Sequence, residues 1–219
     1  MADVVKRDYR SDLRAAQALQ TRRTIVATAA ELFVAHGYGT TTVDAIAAGA
    51  GVSRKTVFTA AGGKAELLKL ALDWAITGDD APTPLAERPA VRELLRGDDP
   101  AQLLERWAEV LTDIDGRTAA LHEALSIAAD TEPEARELLA QSDGQRLAGA
   151  RQVVARVHAL GGLTPGLSAR EAADIAWLLT DPALYTRLVL RRSWSAGRFQ
   201  RWLTATLCAQ LASGAVTGR

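Results

Sequence analysis

Cysteine is almost missing from this chain: Cys208 is the only one in 219 residues. That excludes an internal disulfide and suits a reducing, cytoplasmic setting. Aromatic residues amount to 5%, and no run of alternating β-branched residues is long enough for a sheet, so Ala, Leu and Arg leave helices as the favoured element. No segment approaches the roughly 20 consecutive apolar residues that a membrane helix needs. The start, MADVVKRDYRSD, lacks a secretory apolar run. The three histidines, His36, His122 and His158, are too scattered for a local metal motif, and G-x-S-x-G, P-loop and G-x-G-x-x-G patterns are all missing. No catalytic residue, metal or cofactor is therefore expected, and Cys208 reads as a small packing residue.

Net charge is missing too, with 26 basic and 26 acidic side chains, but their distribution is uneven. Residues 1–64 hold nine Lys/Arg against five acids, leaving +4; the remainder holds 17 against 21, leaving −4. A basic head on an acidic body is what a phosphate-binding surface requires.

What is present is clearest over residues 21–68. Ile25, Ala29, Leu32, Phe33 and His36 recur at the spacing of one helix face. Gly37 stands where a left-handed cap ends such a helix. Thr42 is placed to cap a short second helix whose inward residues are Val43, Ile46 and Ala47. Ala50-Gly51-Val52 makes a sharp turn, and Ser53 caps a third helix with Arg54, Lys55, Thr56 and Thr59 outward and Val57 and Phe58 facing or flanking the core. In order, these are the parts of a helix-turn-helix DNA reader.

The residues that carry a resemblance are Ala29-Ala30-x-Leu32-Phe33, Gly37-Tyr38, Thr41-Thr42-Val43, Ile46-Ala47, Gly51-Val52-Ser53, Thr56-Val57-Phe58 and Lys64-x-x-Leu67-Leu68. About a quarter of the chain, it resembles the DNA-binding domain of the TetR family of bacterial transcriptional regulators. Many members carry aromatic-x-His-Phe after the reader helix; here Phe58-Thr59-Ala60-Ala61 stands instead, without the histidine that contacts phosphate.

Beyond the head, a fourth helix is expected from Lys64 to Gly78, followed by a proline-rich loop, GDDAPTPLAERPA. Asp99-Pro100 opens a helix to residue 114, and a separate one follows Gly116 over 117–129. Thr131-Glu132-Pro133 opens a longer helix to Leu160, and the capping box Ser168–Glu171 leads into another. Pro182 precedes a helix over 184–191. The last helix carries Phe199, Trp202, Leu203, Thr206, Leu207, Gln210 and Leu211 in one stripe.

The fold class expected is all-α: a basic arm (1–20), a helix-turn-helix head (21–68) and a helical effector-binding and dimerisation body (69–219). The DNA-contact candidates are Arg22, Arg23, Thr42, Arg54, Lys55, Thr56, Phe58, Thr59 and Lys64. Arg suits guanine, Thr a thymine methyl or phosphate, and Lys phosphate; Lys64 after Gly62-Gly63 makes a helix-terminal phosphate clamp. The arm either extends the first helix or lies along a minor groove. The resemblance implies a homodimer, for which Leu184, Leu188, Phe199, Trp202, Leu203, Thr206 and Leu207 are the interface candidates. It also implies a small-molecule effector in the body, for which Trp74, Trp107, His122 and Trp177 are the large groups available. The function expected is that of a repressor released from a palindromic double-stranded operator by that effector. A constitutive helical DNA-binding protein, or a small helical enzyme or ligand-binding protein with an incidental head, are the alternatives.

Overall fold

A computed structural model describes residues 2–213, with side chains from residue 13 onward. Ten α-helices make up the described chain: α1 (Ala2–His36), α2 (Val43–Gly49), α3 (Arg54–Ala61), α4 (Lys64–Thr77), α5 (Pro89–Leu94), α6 (Pro100–Ala129), α7 (Pro133–Ala159), α8 (Ala169–Leu179), α9 (Pro182–Tyr185) and α10 (Ala196–Leu211). Among the described residues there is no strand, only an isolated bridge between Leu163 and Ala212. No helix among them is long and apolar enough to cross a membrane.

The helix starts follow local chemistry. The Thr42 hydroxyl accepts from Ala45 N at 3.1 Å, Ser53 from Thr56 N at 3.1 Å, and the Asp99 carboxylate from Gln102 N at 2.9 Å. Ser168 and Glu171 form the expected reciprocal box, the Glu171 carboxylate accepting from Ser168 N at 3.1 Å. Each such cap contributes about 1 kcal/mol. Gly37 at φ 81° ends α1, and Gly51 at φ 66° turns α2 into α3, a left-handed conformation that other residues adopt at a cost.

Two cores hold the chain. The head core contains Ile25, Ala29, Phe33, Tyr38, Ile46, Val57, Leu67 and Leu68. The body core contains Leu103, Leu104, Trp107, Val153, Val154, Ala172, Ala176, Tyr185, Phe199, Leu203, Leu207 and Leu211. The helix α6 belongs to both: its first two-thirds lie in the body core, while Leu121, Leu125 and Ala128 pack into the head core with Ala135 of α7.

Several elements differ from the sequence expectation. The two helices expected over 100–114 and 117–129 are one 30-residue helix. A mid-helix Gly costs only about 1 kcal/mol, and burial of Leu104, Ala108, Asp115, Thr118, His122, Leu125 and Ala129 along one face runs straight through Gly116. The arm of residues 1–20 is the first half of α1, with residues 13–20 exposed; its side chains up to Asp12 lie outside the described residues. Within the proline-rich stretch, Leu85–Glu87 forms a 3-10 turn, and Pro89 starts α5, whose Leu94 enters the body core. The helix expected over 184–191 is α9 followed by a π-helical turn, Thr186–Leu190, in which Arg191 N donates to Thr186 O at 3.0 Å.

Candidate nucleic-acid interface

The reader helix α3 stands on the head core through buried Val57 and Ala61, with Thr56 half-buried and Arg54, Lys55, Phe58 and Thr59 exposed. Thr56 Oγ1 is 2.8 Å from Ser53 Oγ, and the Thr59 hydroxyl donates back to Lys55 O at 2.9 Å. Phe58 is 46% exposed, so it flanks rather than enters the core. Arg54 donates to Asp44 at 2.7 Å, and its guanidinium lies 5.6 Å from the Phe58 ring centre. Thr42 is exposed at the cap of α2, beside Asp44. One surface therefore gathers Thr42 from α2 with Arg54, Lys55 and Phe58 from α3, and the Arg54–Asp44 pair holds the reader's guanidinium across the two helices. Both partners are well exposed, so the pair contributes little to stability and leaves the guanidinium free to change partners.

Two of the expected contact residues, Arg23 and Lys64, are otherwise engaged. Arg23 makes a bidentate pair with Asp80, both bonds at 2.8 Å, tying α1 to the loop after α4; the paired guanidinium holds the Asp80 carboxyl below its usual range. Lys64 donates to Tyr38 O at 3.0 Å with its ammonium 4.1 Å from the Tyr38 ring centre. The N-terminus of α4 is occupied by its own Glu66, which accepts from Gly63 N at 3.0 Å. The phosphate clamp read from Gly62-Gly63-Lys64 is thus internally satisfied: an acidic side chain fills the anion position. Burial, reinforced by Glu134, Glu132 and Glu66, pushes the Tyr38 phenol up to about 12. Arg22 is half-buried, 5.8 Å over Trp74, with its Nε unpartnered, and it lines an open cleft of about 390 Å³ with Thr59, Glu66 and Lys69. A second open cleft, of about 500 Å³, lies between the end of α1 and the start of α2, bordered by Leu32, His36, Thr40 and Thr41.

The family model for bacterial regulatory proteins of the tetR family matches residues 25–71, from α1 through most of α4. Residues 25–71 thus carry a domain of the tetR family type. No curated protein matches the chain in sequence. Solved structures share the fold over nearly the full chain. NalD, the secondary repressor of the MexAB-OprM multidrug efflux pump in Pseudomonas aeruginosa, is 22% identical, with 90% of this chain and 99% of that one covered at a TM-score of 0.67. SmeT, solved as a complex with triclosan, is 21% identical over 90% and 95% of the two chains, at 0.65. FadR of Bacillus halodurans, a fatty acid degradation regulator, is 15% identical over 91% and 97%, at 0.65.

The helical body does not bring the four proposed effector residues together. Trp74 packs on the head core and Trp107 lies buried in the body core. Trp107 and His122 sit on the same helix fifteen residues apart, about 22 Å along its axis, rather than on two facing helices. His122 and Trp177 do share a neighbour, Arg146 of α7, whose guanidinium lies 5.2 Å from the Trp177 ring centre and bears electrostatically on His122. Around it lies a buried polar cluster that the sequence reading missed. Asp115 is 3% exposed, and burial, opposed by Arg146 and reinforced by Asp181, pushes its carboxyl up to about 7. Burial lowers the His122 pKa below the usual imidazole range, and its Nε2 has no hydrogen-bond partner. A signal for Asp115 exists: it falls on the same face as Leu104, Ala108, Thr118, His122 and Leu125 once 100–129 is read as one helix.

The interface candidates are also divided. Phe199, Leu203 and Leu207, with Leu211, are fully enclosed within the chain itself, against α6 and α8, and belong to its core instead of a free face. Trp202 and Thr206 are half-buried, as are Leu184 and Leu188. Trp202 stacks edge-on with Trp194 at 6.3 Å, and Leu178 and Leu190 are large apolar residues more than half exposed on the body.

Proposed function

We propose that this TetR-family protein is a homodimeric repressor that reads an inverted-repeat operator and leaves it when a small molecule binds the body. The observation that carries the reading is the mounting of α3. Its outward row of Arg54, Lys55, Phe58 and Thr59 is seated on a core that shares α6 with the body. Arg54 supplies a bidentate donor for a base edge, and Lys55 a phosphate charge. Arg22, beside the end of α3, adds a second phosphate-binding cation. Lys64 serves by fixing Tyr38 and hence the entry angle of α4, and Arg23 by holding α1 to Asp80.

The effector reading follows from α6. A displacement of this helix at Asp115–His122 is transmitted to Leu121, Leu125 and Ala128, which sit beneath the head. An effector that prefers a conformation with displaced heads weakens operator binding by the same factor by which DNA weakens effector binding. NalD's description as an efflux-pump repressor and the SmeT complex with triclosan support the same assignment here. The dimer would use the half-buried Trp202, Thr206, Leu184 and Leu188, with exposed Leu178 and Leu190 added to them.

Selection of random duplexes on the purified protein tests the proposal. The expected product is an inverted repeat with half-site centres about 34–36 Å apart or a multiple of that. Recovery of asymmetric sites only, or of no preference, would overturn it.

A further inference from the structure

The buried cluster in the body has a charge imbalance that its own residues do not settle. Arg146 is fully engaged at its two terminal nitrogens. Nη1 donates to the carbonyls of Trp177 at 3.3 Å and Thr180 at 3.0 Å, and Nη2 donates to Asp143 at 3.1 Å and lies 3.7 Å from Asp181. One guanidinium thus answers two carboxylates before Asp115 is counted. Asp115 accepts no hydrogen bond among the described residues, although it is 3% exposed. Beside it, His122 Nε2, Trp177 Nε1 and Arg146 Nε are buried without partners. Three unpaired polar atoms from α6, α7 and α8 are unusual in a packed interior, where nearly all such groups are satisfied, and a carboxylate whose burial outweighs its attraction to Arg146 adds to the cost.

We propose that this cluster is a binding site for a small organic cation that also carries an oxygen acceptor and an aromatic or apolar group. Its ammonium pairs with Asp115. The acceptor takes the free N–H groups of Trp177 and Arg146. The remainder lies against the Trp177 indole and the buried ring of Tyr185, whose hydroxyl borders Gly116 one residue from Asp115. Asp143 and Asp181, each about one-third exposed, place two further carboxylates beside Arg146 on the solvent side of the cluster. With all three carboxylates ionised and His122 neutral, the cluster carries −2, and a monocation halves that. An anion would meet an already neutralised guanidinium and three carboxylates. This deepens the effector reading and rests on it for its regulatory meaning.

The test uses the full-length protein and three probes of one shape: 3-methoxybenzylamine, 3-methoxybenzyl alcohol and 3-methoxybenzoate. Thermal unfolding and tryptophan fluorescence are followed at pH 8, with operator binding measured in parallel. The amine is expected to raise the unfolding temperature and change the fluorescence, and the alcohol and benzoate to do neither. Asp115→Asn, which keeps the shape of the side chain and removes its charge, should weaken the amine at least about tenfold. The amine's affinity should also fall from pH 8 to pH 6 as Asp115 takes up a proton opposite Arg146, Asp143, Asp181, His122 and Tyr185. Stabilisation by benzoate rather than the amine, an amine response unchanged in Asp115→Asn, or no response to the amine at all would each overturn the proposal. An amine that binds through Asp115 without altering operator affinity would leave the site standing and refute the effector reading. A compound that releases the operator independently of Asp115 would do the reverse.

Discussion

Replacing Asp115 with Asn should make the protein more stable at pH 8 and leave it nearly unchanged at pH 4. In the folded chain the carboxyl is pushed from 3.8 to about 7, chiefly by burial. Below about pH 4 both folded and unfolded chains carry the proton, and the group has no effect. Between pH 4 and 7 the unfolded chain releases its proton while the folded chain retains it, so stability falls as pH rises through that window; above pH 7 the whole cost is present. About three pH units at about 1.4 kcal/mol each give a cost of up to about 4 kcal/mol at pH 8. Asn cannot ionise and escapes it. Urea unfolding of both proteins at pH 4, 6 and 8, at one fixed protein concentration, should show a gap opening with pH in favour of the variant. A gap that stays constant over this range, or a wild-type protein that is the more stable at pH 8, would refute the argument that the burial of Asp115 outweighs its attraction to Arg146.

Other substitutions separate the roles proposed for neighbouring residues. Arg54→Ala should cost about 1–3 kcal/mol of operator binding and relax preference at one position per half-site, whereas Lys55→Ala should weaken all duplexes and reduce the salt slope by about one; the two are compared by titrating matched and mismatched duplexes at several salt concentrations. Lys64→Ala should lower thermal stability by about 1–2 kcal/mol through the lost bond and ring contact to Tyr38; unchanged stability with uniformly weaker DNA binding would return Lys64 to the phosphate backbone. Gly116→Ala should stabilise the protein by about 0.5–1 kcal/mol in urea unfolding, since its Cβ meets only the Tyr185 hydroxyl, at 3.4 Å, and α6 is continuous there. Leu203→Ala should cost about 2–5 kcal/mol as a core cavity, while Trp202→Glu should yield monomers in sedimentation; a Trp202→Glu protein that stays dimeric would move the interface elsewhere.

The head was legible because its determinants are local. Thr42, Ser53, Gly37 and Gly51 act within four residues of themselves, and the inward positions Ile25, Ala29, Phe33, Ile46 and Val57 follow the period of the helices they occupy. The caps at Asp99 and Ser168 were readable for the same reason. What the sequence could not disclose is which groups meet across long chain separations. Arg23 and Asp80 are 57 residues apart, Lys64 and the Tyr38 carbonyl 26, and nothing local distinguishes an arginine destined for a carboxylate from one left for DNA. The apolar stripe of α10 announced burial without saying against what, and the subunit's own α6 and α8 cover Phe199, Leu203 and Leu207. Gly116 read as a stop because helix propensity is a weak local preference of about 1 kcal/mol, and burial in two cores on either side outweighs it. Asp115 is the clearest case. Its ionisation is set by Arg146, Asp181 and the wall of apolar side chains around it, all brought there by other helices, because solvation and Coulomb energies depend on distance in space rather than along the chain.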